Sequence, residues 1–520
     1  MRTPFFLLTA TALMSATIAD AQYQQPQPYQ GQQPYQSQQP YQGQQPYQQA
    51  PSAPRYLAQS DVQEAAKQHP AVIAEFGGAE TGARAAYVEN VGRRVASFTG
   101  TANAGQAYHF TMLNSAVENA FSVPGGYVYI TRQLMGLMND EAELAFVVGH
   151  ETGHIAANHA RQRQKVSQRN SILGVLGAVL GSVVGGGFGN IIAQGSQYSS
   201  QLRTLSFSRN QEYQADQLGI RYITQAGYDP NGATTMLQAL SRSSALQARL
   251  QGKGSRSTPE WASTHPLSEN RVSQAAQLVR QTGRAGTGMR NRDQFLAQVN
   301  GIYVDDDPAQ GVIDGRTFTH PDLKLQFAVP AGYLMQNSAE AVTIEGTAGQ
   351  AQFSGGRYDG NIQTYIQKVI NDLTEGKIPV QLGQPQRTMI NGIPATYVGG
   401  QAQTSSGVVG IEVMAYEWGP NTAYHFVTLT RAGNGYGQSP FGEMFNSMRR
   451  VSPAEASAIK PRIIQVMTVK RGDTVDSFAS RMAYRDFQRE RFVSLNGLNG
   501  AAALVPGQKV KVVVFGARRS

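Results

Sequence analysis

The pattern of apolar and polar positions predicts a helix that begins near Asp140, with Leu144, Phe146, Val147 and Val148 as its apolar packing surface. Asp140 suits the N-cap, and Glu143 stands three residues on, as in a capping box. Arg161, Arg163 and Lys165 suit the C-terminal end. Further helices are predicted over residues 61–68, 84–98 and 207–225, the last closed by Gly227 and Asp229-Pro230. Alternation predicts strands over residues 108–114, 117–123 and 127–131, the last two joined by Pro124-Gly125-Gly126. An exposed strand edge beside a helix can pair with an extended peptide of any sequence, because it bonds backbone. The pattern leaves open which strand is the edge.

Residues 316–452 carry a different pattern. Leu323, Leu325, Phe327 and Val329 alternate, residues 361–373 are helical, and Asn391-Gly392 marks a hairpin. Residues 408–416 and 424–430 complete an α+β accessory domain with no catalytic constellation of its own. Between it and residue 300, residues 301–315 with Asp305-Asp306-Asp307-Pro308 are expected as a linker. The amino-terminal segments have no core pattern. Residues 1–21 are expected as a cleaved signal peptide ending in Ala19-Asp20-Ala21. Residues 22–54 repeat Pro-Tyr-Gln and are expected as a disordered arm. Residues 170–202 carry no charge and many glycines. A membrane span is conceivable there, but the glycines favour a loop or lid over an integral span.

Composition narrows the classes. The chain has 520 residues, 41% of them hydrophobic and 15% charged, enough for several buried cores. The net charge of +9 is scattered rather than blocked, so nucleic-acid binding is not expected. With no cysteine, disulfides, thiolate metal ligands, a cysteine nucleophile and a lipidated cysteine are excluded. The expected location is the periplasm.

The candidate chemistry lies in the first predicted helix, as His150-Glu151-Thr152-Gly153-His154. Positions four apart on a helix lie about 40° apart, so His150 and His154 can reach one metal ion. Glu151 stands beside them, placed to deprotonate a water. A catalytic zinc takes three protein ligands. Glu212, 58 positions after His154 (212 − 154), is the candidate for the third. Asp216, one turn on, can hold the far nitrogen of a ligating histidine. A third histidine ligand from the same helix is excluded, since Ala157 and Ala160 stand where that arrangement needs Gly and His. His159 is expected to face away, at the surface or behind a ligand. His265 in Ser263-Thr264-His265-Pro266 can cap the metal or stabilise an oxyanion, and Arg271 can brace a ligand carboxylate or a substrate carbonyl.

These motifs, with Asn119-Ala120-Phe121 and Glu212-x-x-Ala215-Asp216, resemble the HtpX-type gluzincin metallopeptidases of family M48, nearest the BepA-like and Oma-like branch. The resemblance implies one Zn2+ per chain on His150, His154 and Glu212. It makes Glu151 the catalytic base, His265 an active-site histidine and Asp216 a supporting residue. It also implies misfolded or unassembled envelope proteins as substrates. Residues 463–515 resemble a LysM module through Val469-Lys470-Arg471-Gly472-Asp473-Thr474, Leu495-Asn496 and Pro506-Gly507-Gln508, which implies peptidoglycan as a ligand or else a structural cap.

The expected fold class is α+β. A mainly helical zincin-type metallopeptidase domain with a small β-sheet spans residues 55–300. The accessory α+β domain spans residues 316–452 and a βααβ LysM-like domain residues 460–516. The expected function is a zinc endopeptidase of the bacterial envelope. The alternative is a chaperone-like or peptidoglycan-anchored binding protein with little proteolysis.

Overall fold

The structure, a computed structural model, describes residues 56–162, 207–250, 265, 270–346, 348–374, 378–404, 407–431, 439–498 and 504–519. The expected signal peptide, the Pro-Tyr-Gln arm, the glycine-rich stretch 170–202, and Ser263, Thr264 and Pro266 lie outside them.

The first part of the chain is built on helices: α1 (Gln59–Glu75), α2 (Ala83–Ala96), α3 (Ala104–Ala107), α4 (Arg132–Leu137), α5 (Glu141–Ala156), α6 (Arg209–Gln225), α7 (Asn231–Leu250), α8 (Arg271–Gln281) and α9 (Arg292–Val299). Strands β1 (His109–Leu113), β2 (Ala120–Val123) and β3 (Tyr127–Thr131) form a small sheet in the order β1-β3-β2, so β2 is an edge. The β2–β3 turn needs its glycines. Gly125 and Gly126 have φ of 98° and 94°, and a Cβ on Gly125 would sit 2.4 Å from the Asp61 carbonyl oxygen.

Helix α5 is buried at every position from Glu141 to His154, including its polar residues. Asp140 caps it by accepting from the Glu143 N–H, as its sequence suggests. The Glu143 carboxylate returns to the Asn139 N–H at 2.7 Å, one residue before the cap. The helix stops at Ala156, short of the basic residues expected to end it. Arg161 instead reaches Asp61, at 2.7 Å.

Residues 301–315, expected as a linker, take part in two sheets. Strand β4 (Tyr303–Val304) joins a sheet with β17 (Arg462–Thr468) and β18 (Lys509–Phe515), in the order β18-β17-β4. Strand β5 (Val312–Asp314) edges a four-stranded sheet with β6 (Thr317–His320), β7 (Leu325–Ala328) and β16 (Arg449–Arg450). The aspartates between them accept backbone N–H groups: Asp307 from Ala309 and Asp306 from Ile313. That use of acidic side chains orders a stretch whose composition resembles a tether.

The central domain is an eight-stranded antiparallel sheet of β8 (Leu334–Asn337), β9 (Val342–Gly346), β10 (Gly349–Arg357), β11 (Val380–Leu382), β12 (Gln386–Ile390), β13 (Ile393–Thr404), β14 (Gly407–Gly419) and β15 (Thr422–Arg431). Its order is β11-β13-β14-β15-β10-β9-β8, with β12 on β13. Helix α10 (Ile362–Thr374) covers one face through Ile362, Tyr365, Ile366, Val369 and Ile370. The other face packs Phe327, Phe353, Phe426 and the helix α11 (Gly442–Ser447).

The last unit has β17, α12 (Val475–Ala479), α13 (Gln488–Leu495) and β18, the βααβ order expected. It shares one core with the helical part: Ile464, Phe478, Phe492, Val510 and Val512 belong to the same buried cluster as Leu137, Met138 and Phe146. Lys511 seals this contact. It is fully buried, and its ammonium donates to the carbonyls of Gly136, Leu137 and Met138 at 2.7, 3.0 and 2.6 Å. These are end-of-helix carbonyls of α4, left without partners by the helix itself. Lys511→Met should therefore lower the stability of the intact chain by about 3 kcal/mol. Thermal unfolding checks this, and an unchanged Tm would show that the lysine does not hold the two units together.

Candidate metallopeptidase site

Two helices meet through small residues. A Cβ on Gly219 of α6 would lie 2.9 Å from the His150 nitrogen, and one on Gly153 of α5 would lie 3.3 Å from the Ala215 carbonyl oxygen. At this separation the side chains of His150, His154 and Glu212 converge. His265 joins them from the stretch before α8. One donor atom from each of the four lies within 4.8 Å of every other, and all four residues are buried.

The nearest approaches are close to those of ligands on one ion. His150 Nε2 is 3.0 Å from His154 Nε2 and 3.3 Å from His265 Nδ1. Glu212 Oε1 is 3.0 Å from His265 Nδ1 and 3.5 Å from His154 Nε2. A tetrahedral ion with bonds of about 2.0–2.1 Å separates its ligands by about 3.3–3.4 Å. Nitrogen and oxygen donors that would otherwise crowd one another thus fit a metal ion. Burial pushes both His150 and His154 down to about 4, which leaves their imidazoles neutral near pH 7 with lone pairs to donate.

The far sides of these donors are also held. His150 Nδ1 donates to Asp216 Oδ1 at 2.9 Å, which aims Nε2 at the cluster. Arg271 grips Asp216 with two bonds, of 2.7 and 2.8 Å, and reaches Glu212 Oε2 at 2.7 Å. Burial alone would raise both carboxyls. Arg271, with His265 in the case of Glu212 and His150 in that of Asp216, overcomes it and keeps them low. For His265 the balance is reversed. Burial would lower it, but Glu212 and Glu151 outweigh burial and raise it.

His159 lies behind His154 rather than at the surface. Asn158 takes a left-handed conformation, φ 54°, after the helix ends, and turns the chain back. His159 Nδ1 then lies 2.9 Å from His154 Nδ1, and its Nε2 lies 3.0 Å from Gln214 Oε1. One tautomer set satisfies the chain: His154 donates to His159, and His159 donates to Gln214. An angle counted along an unbroken helix could not find this contact.

Two other neighbours were not legible in the motifs. Ser122, on the edge strand β2, donates to Glu151 Oε2 at 2.9 Å. Phe207 stacks on the His154 ring, with centroids 3.9 Å apart. The Glu151 carboxylate thus lies between β2 and His265, whose Nε2 is 3.4 Å from Oε1. A cavity of about 240 Å³ opens beside them, lined by Ser122, Gly125, His154 and Phe207 among others.

Two variants separate ligation from packing. Asp216→Ala should weaken metal binding by about 10–100-fold, because His150 loses its orienting partner. Gly219→Val should also lower metal occupancy, although it removes no ligand. Metal content by atomic absorption after dialysis checks both, and full occupancy in Gly219→Val would show that the helix contact does not set the site.

The comparisons with known proteins agree with this geometry. Residues 82–279 match the profile of Peptidase family M48, and residues 467–513 that of the LysM domain. Over 229 residues the chain is 30% identical to the beta-barrel assembly-enhancing protease of Yersinia pestis, covering 42% of this chain and 44% of that one. The Escherichia coli protein of the same name is 28% identical over 222 residues, covering 42% and 43%. The mitochondrial metalloendopeptidase OMA1 of Schizosaccharomyces pombe is 29% identical over 187 residues, covering 36% and 50%. The chain thus spans half or less of the length of these relatives. No described helix is long and apolar enough to cross a membrane. The donors that gather on α5 and α6 lie inside the matched segment, and the chain carries a metalloprotease domain of family M48 together with a LysM domain.

Proposed function

We propose that the chain is a zinc endopeptidase of the bacterial cell envelope, acting in the periplasm on misfolded or unassembled proteins. The observation that carries this reading is the closed group of His150, His154, Glu212 and His265 with Glu151 beside it, under an edge strand. Zinc suits a set of nitrogen and carboxylate donors without thiolate; once bound it would acidify water and polarise a scissile carbonyl.

The rest is done by the chain. Glu151 takes the proton of the attacking water and passes it to the leaving amine. Ser122 fixes one oxygen of that carboxylate and leaves the other for the proton. Among the described residues strand β2 has no partner on its outer edge, and such an edge selects extended chains over folded ones. His265 occupies the fourth position around the donor group, so its departure would open a place for water. In the relatives, the names beta-barrel assembly-enhancing protease and metalloendopeptidase describe the same chemical class.

Purified protein should cleave an unfolded envelope protein, and a chelator should stop it. Glu151→Gln should retain the metal and lose cleavage by roughly 10²–10⁴-fold. Activity that survives both treatments would favour a chaperone-like binder with a contaminating protease. The sign of His265→Ala separates two roles. A cap predicts faster basal cleavage, whereas an oxyanion donor predicts a loss of roughly 10²–10³-fold.

The LysM domain supports an anchoring role on peptidoglycan. Its Lys470-to-Thr474 turn is largely exposed, away from the buried Lys511 contact. The intact chain should sediment with purified peptidoglycan, resist moderate salt, and be released by N-acetylglucosamine oligomers. Release by salt alone would assign the sedimentation to the net positive charge.

A further inference from the structure

The central domain holds a buried histidine that the metal site does not use. His425 on β15 faces Ser354, its direct cross-strand partner on β10, and Tyr365 on α10. His425 and Tyr365 are buried, while Ser354 is half-buried at the wall of a cavity of about 250 Å³. The same cavity is lined by Gly355, Gly356 and Arg357 from the strand and by Lys368 and Asp372 from the helix.

The hydrogen bonds fix which nitrogen carries the proton. The Tyr365 hydroxyl has one hydrogen, and it donates that hydrogen to the Ala423 carbonyl at 2.9 Å. Its 2.8 Å contact with His425 Nδ1 must then be one in which the imidazole donates. Nε2 is left as the acceptor, and the Ser354 hydroxyl lies 3.1 Å from it. A serine hydroxyl aimed at the bare nitrogen of a histidine, whose other nitrogen is oriented by a third group, is the arrangement that activates a serine nucleophile.

The backbone beside the serine supplies the second requirement. Strand β9 pairs with β10 only as far as Phe353, whereas β15 continues to Arg357. Among the described residues no strand covers the other edge of Ser354, Gly355 and Gly356. The Tyr358 N–H donates to the Asn421 carbonyl, so by antiparallel alternation Ser354 and Gly356 bond β15 and the Gly355 N–H faces the open edge, where an incoming carbonyl oxygen can approach it. At the rim Lys368 pairs with Asp372 at 2.9 Å, so the net positive charge there comes from Arg357.

We propose that Ser354, His425 and Tyr365 form a second, metal-independent site that transfers the acyl group of a small ester. The Ser354 oxygen adds to the acyl carbon while His425 Nε2 takes its proton. The ester C–O bond then breaks, and the alcohol leaves with that proton. Water reverses the sequence and releases the carboxylic acid, so no other reactant is needed. Burial, with Lys368, pushes His425 down to about 4, while Asp372 opposes the shift; the base is therefore already neutral near pH 7. Turnover by so weak a base should be slow and nearly flat from pH 6 to 8.

The test uses the intact chain in excess chelator, so that metal-dependent cleavage is silent. A fluorophosphonate probe should attach to Ser354, identified by peptide mass spectrometry, and p-nitrophenyl acetate should be hydrolysed. Ser354→Ala should abolish both. His425→Ala should slow labelling by about 10²-fold. Tyr365→Phe should slow it by about fivefold, the worth of one neutral hydrogen bond. Circular dichroism and Tm report whether each variant is folded. Absence of labelled Ser354 in the unmodified chain overturns the proposal whatever the variants do. So does a labelling rate unchanged in folded His425→Ala. Because chelator is present throughout, neither outcome depends on whether the metallopeptidase reading holds.

Discussion

The site depends on how closely α5 and α6 approach. Backbone touches backbone where Gly149 and Gly153 face Ala215 and Gly219, and a Cβ on Gly149 would already lie 3.1 Å from the Gly219 Cα. Only at that spacing can a glutamate from one helix meet two histidines from the other. Glycine inside a helix costs roughly 0.5–1 kcal/mol relative to alanine. The chain carries that cost three times where the helices cross, and packing of the fully buried α5 offsets it. Ligand geometry here is a result of helix packing more than of side-chain reach.

Close packing also concentrates charge. Glu151, Glu212, Asp216, Arg271 and three histidines are all buried within a few ångströms of one another. A buried ion pair gains little over apolar packing, but one charge left alone is strongly destabilising. Arg271 is what keeps the two carboxylates from being alone: its guanidinium spans Asp216 and Glu212 together. A lysine could supply the charge but not the fork, so a planar, bidentate group is required there. The same arginine therefore keeps Glu212 ionised for a metal and Asp216 ionised for His150.

Much of this was legible because it follows periodicity. The four-residue spacing of His150 and His154, and again of Glu212 and Asp216, names one helix face each, and the structure brings these faces together. Asp140 and Tyr127–Thr131 were legible for the same local reason. What escaped depends on breaks and on distant contacts. His159 reaches His154 only because Asn158 leaves the helical conformation. The order within residues 301–315 comes from carboxylates that accept backbone N–H groups, which composition alone reads as a polar tether. In the central domain, β8 to β10 and β12 are short or polar enough to blur alternation. Lys511 stands in a strand as an ordinary surface lysine would, and only tertiary packing buries it.

The placement of β4 explains how three units share one chain. β4 leaves α9 and pairs with β17, which lies more than 150 residues on, through Tyr303 with Ile463 and Val304 with Arg462. The central domain is therefore an insertion whose entry and exit are neighbouring strands, and the LysM sheet is completed by a strand from the peptidase side. Termini that leave side by side let an inserted domain fold without stretching its host. The consequence reaches α5. The LysM strand β18 holds the end of α4 through Lys511, and α5 begins four residues after α4, at Glu141. The LysM unit and the helix that carries His150 and His154 are thus parts of one packed body.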